Sequence, residues 1–189
     1  MASGTPIQAD EILTFWFLEC RPIKWFRGGP GTDHEIHSRF GGTVRQAIDG
    51  DWQHRNQDPQ TALALVLLLD QFPRHIWRGQ AAGYAGDRQA LELSLLAEEH
   101  GWVQQEERRS RRQFWLMPRL HSEDLDVQTQ ALSLFAQWTD PRTHALALRH
   151  REIIRRFGRF PHRNVALKRN STPDELQHLQ QRRSAQSAR

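Results

Sequence analysis

Three short stretches of the chain set charged side chains and histidines against helix-breaking prolines inside strongly apolar surroundings. They are Leu69-Asp70-Gln71-Phe72-Pro73-Arg74, Met117-Pro118-Arg119-Leu120-His121-Ser122-Glu123-Asp124, and Phe157-Gly158-Arg159-Phe160-Pro161-His162-Arg163-Asn164. Aspartate, arginine and histidine are seldom buried without a partner, so polar groups wedged among Leu, Phe and Trp imply a satisfied internal network or a lined cavity. Asp70 and Arg74 stand four apart, the spacing of an ion pair on one helix face, and Arg78 follows one further turn on. In the binding reading, Arg74 and Arg78 grip a carboxylate or phosphate while Asp70 orients them. The competing reading is a partly buried salt bridge that sets the geometry of a kink at Pro73.

His121 and His162 extend this set. With Asp70 and Glu123 they are candidate catalytic groups, since imidazole next to a carboxylate performs acid-base work near neutral pH. Glu123 and Asp124 also suit the first turn of a helix, where the dipole favours carboxylates without any further role. No metal-ligand spacing such as HExxH occurs, and no metal or cofactor is expected. The loop at 158–164 combines Arg155, Arg156, Arg159 and Arg163 with Phe157 and Phe160, and reads either as an anion pocket or as a latch onto a central helix. The expected ligand-binding set is therefore Asp70, Arg74, Arg78, His121, Glu123, Arg159, His162 and Asn164.

The elements that must position these groups read as helices throughout, because apolar residues recur at three-and-four spacing and never alternate for long. Asp58-Pro59 predicts an N-cap and first helical residue for the most apolar segment, through Leu69, which is expected to be central. Thr32 and Asp33 read as caps of the segment holding Ile36, Phe40 and Val44. Asp87 opens a helix closed by Gly101; another covers about 105–116; Ser122-Glu123-Asp124 starts the next; Pro141 starts one ending at Gly158. Thr172-Pro173-Asp174-Glu175 is a capping box. About eight helices and no sheet are expected, an all-α array, with Leu63, Val66, Leu67, Phe72, Leu132 and Ile153 in one core. Residues 1–183 form a single domain and 184–189 a disordered tail.

Composition narrows the classes of function. Arginine supplies nearly all the positive charge, 24 Arg against 2 Lys, and guanidinium suits bidentate contact with carboxylate and phosphate. Cys20 is alone, which excludes an internal disulfide and a thiolate zinc site. No run is long enough to span a bilayer and no secretion signal is recognised, so no membrane partner and a cytoplasmic location are expected. Walker A, Gly-x-Ser-x-Gly and dinucleotide fingerprints are absent. Arg108, Arg109, Arg111 and Arg112 beside Phe114 and Trp115 keep nucleic acid as a further possibility, although Trp115 sits at core spacing.

At these blocks the chain resembles a bacterial family known only as domain of unknown function 924. The match is carried by Leu67 to Arg74 with Arg78-Gly79, by Met117-Pro118 with His121 to Asp124 and Gln128, and by His150 to Asn164 with Ser171-Thr172-Pro173. Weaker matches are Ile12 to Phe17 and Asp33, Ile36, Arg39 and Phe40. The resemblance implies a tetratricopeptide-like helical array and no established activity. Against the family pattern, His75 replaces an asparagine, Lys168 and Asn170 replace a glycine and an acidic residue, and Arg111 or the neighbouring arginine run takes the place of a glutamate-arginine pair before Phe114. The function expected is binding of an anionic small molecule or peptide in a polar groove. The alternatives are an enzyme with His/carboxylate chemistry and arginine stabilisation of negative charge, or a nucleic-acid-binding accessory protein. The oligomeric state is left open.

Overall fold

The structure is a computed structural model and describes residues 9–52 and 58–187. It is 79% helical, with ten helices and no strand among those residues. α1 comprises Ala9–Thr14 and a wide turn, Phe15–Glu19; α2 is Pro22–Arg27 and α3 is Pro30–Asp49. α4 runs from Pro59–Val66 through Leu67–Gln71 to Phe72–Ile76. α5 is Asp87–Glu99, α6 Trp102–Gln105, α7 Arg109–His121, α8 Leu125–Trp138, α9 Pro141–Phe157 and α10 Pro173–Ser187. Helical backbone therefore extends into the segment that was expected to be a disordered tail; residues 188–189 of that segment lie outside the described residues.

α4 is central because it is apolar all round: every residue from Ala62 to Leu69 is buried. α1, α3, α5 and α7 pack against its successive parts, and α7, α8 and α9 stack as sequential neighbours. Asp58 caps α4 as its sequence predicts, its carboxylate accepting the backbone N–H groups of Gln60 and Thr61. Asp124 and Asp140 cap α8 and α9 in the same way. At α10 the capping box is reciprocal: Glu175 accepts the Thr172 N–H at 2.8 Å while Thr172 Oγ1 accepts the Glu175 N–H at 3.3 Å.

Three local expectations are corrected. α3 begins at Pro30, and Thr32 and Asp33 fall inside its first turn, where the Asp33 carboxylate turns to His75 and Arg78 instead of capping. α5 ends at Glu99 and Gly101, in left-handed backbone just past its C-cap His100, closes it as the sequence predicts. α7 starts and ends later than predicted and passes through Pro118, because Gln113 to Leu120 are all buried and tertiary packing outweighs the interior-proline cost of about 3 kcal/mol. In α9 the inward row is Thr143, Ala147 and Ile154, so Ile153 lies on the flank and is only half-buried. Leu63, Val66, Leu67 and Phe72 are fully buried and Leu132 packs against them.

Two backbone features shape the site. Pro73 has no N–H, and the turn before it widens so that the Phe72 N–H reaches back five residues to the Leu67 carbonyl. The extra residue turns Asp70 inward to complete burial. Gly86 lies so close to α4 that a Cβ there would run into the Leu69 carbonyl, and this approach brings Asp87 beside Arg74 and Arg163. In the final loop Lys168 takes positive φ, 53°, the conformation that glycine adopts without strain.

Candidate functional site

A cavity of about 310 Å³ opens where the end of α4, the 81–84 turn, α7, α9, the 161–163 turn and α10 meet. Four arginines line it, Arg74, Arg78, Arg163 and Arg182, together with His75, His121, His150 and His162. Trp25, Phe26, Trp77 and Tyr84 supply aromatic walls.

Three of these arginines, Arg74, Arg78 and Arg163, are held by carboxylates behind them. Asp87 bridges Arg74 at 2.9 Å and Arg163 at 3.1 Å, and Asp33 takes Arg78 at 2.9 Å. Burial pushes the Asp87 carboxyl upward against the pull of Arg74. Arg163 is clamped further: its guanidinium carbon lies 4.7 Å from both the Tyr84 and Phe160 rings, and Nη2 donates to the His121 carbonyl at 2.9 Å. Its buried Nε finds no acceptor among the described residues. Four guanidinium groups against the carboxylates of Asp33, Asp70 and Asp87 leave one positive charge around the cavity.

Asp70 sits directly behind His121, with its Oδ1 2.7 Å from His121 Nδ1 and 3.3 Å from Arg74 Nη1. Gln71 Nε2 donates to the other carboxylate oxygen, and Arg74 Nη1 also donates to the Asp70 carbonyl. Burial acts to raise the Asp70 pKa, but the charges of His121 and Arg74 outweigh it and hold the group at about 2. For His121, burial is the largest influence and keeps the ring below its usual range in spite of Asp70. The pair at neutral pH is therefore a carboxylate and a neutral imidazole that donates Nδ1–H.

Of the residues chosen from sequence, Arg74, Arg78, His121 and His162 line this cavity and Asp70 backs it. Glu123, Arg159 and Asn164 do not join them. Glu123 accepts from Arg169 at 2.7 Å and from the Phe160 N–H at 2.8 Å. Arg159 forks onto Glu175 at 2.7 and 2.9 Å, and Asn164 Nδ2 donates to Ser171 Oγ and Glu175 Oε2. These three form a latch that ties the final loop and α10 to the 158–164 turn, so the latch expected from the sequence holds that loop and α10 rather than the central helix, while His162 and Arg163 of the same turn line the cavity.

Sequence reasoning missed Asp87, which it read as a helix opener, and His75, which it noted only as a departure from a pattern. His75 Nδ1 lies 2.8 Å from Asp33 Oδ1 and Nε2 lies 3.2 Å from the Trp25 carbonyl. His150 and Arg163 stand inside blocks already singled out. Tyr84, the single tyrosine of the chain, and Arg182 carried no local signal.

Other candidates lie elsewhere. Arg111 pairs with Glu106 at 2.8 Å and donates to Gln60, Arg112 stacks on Trp138 at 4.7 Å, and Phe114 and Trp115 are buried, so neither ring is a surface platform. Cys20 is buried and its thiol is pushed up by that burial, which disfavours the thiolate. Among the described residues no group of three or more His, Cys, Asp or Glu side chains is placed to hold a metal ion, and no helix is long and apolar enough to cross a membrane.

Comparison with known proteins accords with this architecture. The model of a family described as bacterial protein of unknown function (DUF924) matches residues 12–183. The solved structure of ATU0120 from Agrobacterium tumefaciens, a protein of unknown function, is similar with a TM-score of 0.85 and 36% sequence identity, covering 92% of this chain and 97% of that one. No curated protein matches. With nearly the whole helical array and all three polar blocks inside the matched span, the chain belongs to the DUF924 family of bacterial proteins of unknown function.

Proposed function

We propose that the cavity binds a small monoanion carrying an apolar or aromatic body. The observation that supports this is the single surplus positive charge at a cavity walled by Trp25, Phe26, Trp77 and Tyr84. A carboxylate cancels that charge, whereas a phosphate monoester dianion would replace it with an uncompensated negative one. The volume, about 310 Å³, lies at the lower end of the range of small-molecule sites. A peptide C-terminus presents the same chemistry only if its last side chain enters the cavity. The unpaired buried thiol Cys20 suits a reducing cytoplasm as the setting.

Tryptophan fluorescence and calorimetry with benzoate, benzyl alcohol and inorganic phosphate test this reading. Benzoate binds and the other two bind at least tenfold more weakly. Arg182→Ala weakens benzoate binding and leaves thermal stability unchanged, because Arg182 is exposed and has no ion-pair partner among the described residues. Equal affinity for benzoate and benzyl alcohol would sink the reading.

A further inference from the structure

Four histidines border the cavity and their ring nitrogens are used differently. His75 has both engaged, by Asp33 and by the Trp25 carbonyl. His150 Nδ1 faces the Leu120 carbonyl at 3.1 Å, and His162 packs against the Phe160 ring; neither has a carboxylate on a ring nitrogen. His121 alone of the four combines a carboxylate on Nδ1 with an Nε2 that has no hydrogen-bond partner among the described residues. Its side chain is 14% exposed while that of Asp70 is fully buried, so the dyad is closed on the carboxylate side and open on the cavity side. Gln71 and Arg74 fix the carboxylate, and the carboxylate fixes the tautomer that leaves the Nε2 lone pair free.

We propose that Asp70 and His121 form a general-base pair that hydrolyses a carboxylic ester within the anionic, apolar-bodied ligand, an activity that rests on the binding reading above. No serine, threonine or cysteine lines the cavity, so the nucleophile is water. His121 Nε2 takes a proton from that water as its oxygen bonds to the ester carbonyl carbon. Asp70 stabilises the imidazolium, and the arginines face the developing oxyanion. The intermediate collapses with breakage of the carbon–oxygen bond to the alcohol, and the imidazolium returns its proton to the departing alkoxide or phenoxide. Ester and water become acid and alcohol, and the enzyme ends as it began. His121 is the catalytic residue; Asp70 is a positioning residue.

The probe is 4-acetoxybenzoate, a flat monoanionic ester whose hydrolysis to 4-hydroxybenzoate is followed by absorbance, with phenyl acetate as the uncharged comparison. The wild type hydrolyses 4-acetoxybenzoate in preference to phenyl acetate. His121→Gln lowers kcat by about 100- to 10,000-fold while 4-hydroxybenzoate still binds. Asp70→Asn lowers kcat with little change in KM and alters the pH profile, which is level at neutral pH in the wild type; if this buried variant does not fold, His121→Gln carries the test. Binding of 4-hydroxybenzoate with no His121-dependent turnover overturns the hydrolytic proposal and leaves the binding reading standing. Failure of 4-hydroxybenzoate to bind overturns both.

Discussion

Asp87 Oδ2 lies 3.1 Å from Arg163 Nη1 although the two residues are 76 positions apart, and this contact joins the start of α5 to the loop after α9. Arg163 is 6% exposed and rests between Tyr84 and Phe160, so its charge depends on Asp87 for compensation. Asp87→Ala leaves both Arg163 and Arg74 without this partner and destabilises the protein by about 3–5 kcal/mol, measured by chemical denaturation. A loss below about 1 kcal/mol would mean that water already compensates Arg163.

Arg159 was grouped with the ligand-binding arginines from its sequence block, but its partner is Glu175, which is 2% exposed and held at about 2 by that pairing. Arg159→Ala therefore lowers the melting temperature by loosening the latch on α10 and leaves benzoate affinity unchanged. Loss of binding with an unaltered melting temperature is the outcome that contradicts this assignment.

Lys168 occupies left-handed backbone at φ 53°, where a Cβ costs about 1–2 kcal/mol relative to glycine before the unfolded-state entropy of glycine is subtracted. Lys168→Gly raises stability by about 0.5–1 kcal/mol, seen as a rise in melting temperature of a few degrees. A fall would show that the lysine side chain, and not the backbone, dominates at this position.

Burial drives His150 down to about 3, with His121, His162 and Arg182 adding to the effect, whereas an unfolded histidine titrates near 6.5. Between those values the unfolded chain binds more protons, so the contribution of His150 is complete above about pH 6.5 and is lost as pH falls. Going from pH 7 to pH 5 costs about 2 kcal/mol for this group, and His162, lowered to about 4 by burial and by Arg163, acts in the same direction. Asp70, held at about 2, contributes no slope in that window. Melting temperature measured against pH is expected to fall towards pH 5, and His150→Gln makes the fall shallower.

The helical class, the central position of α4, the Asp58 cap and the Thr172/Glu175 capping box were legible in the chain because each rests on contacts within a few residues. The same is true of the pairing of Asp70 with Arg74, which needs only one helical turn. The polar blocks were equally visible as burial problems, and four of the eight chosen residues do line one cavity with a fifth behind it. Which partner satisfies each charge was not local information. Glu123, Arg159 and Asn164 differ from His121 and His162 in nothing that their own segments reveal; the fold sends the first three to Arg169, Glu175 and Ser171 and the other two to the cavity. Asp87 reads as a helix start until the close approach at Gly86 places it between two arginines. Local periodicity and capping thus determined the elements, whereas long-range packing decided which buried charges meet, because an ion pair across tens of residues is specified by the shape of the whole core and by no spacing in the sequence.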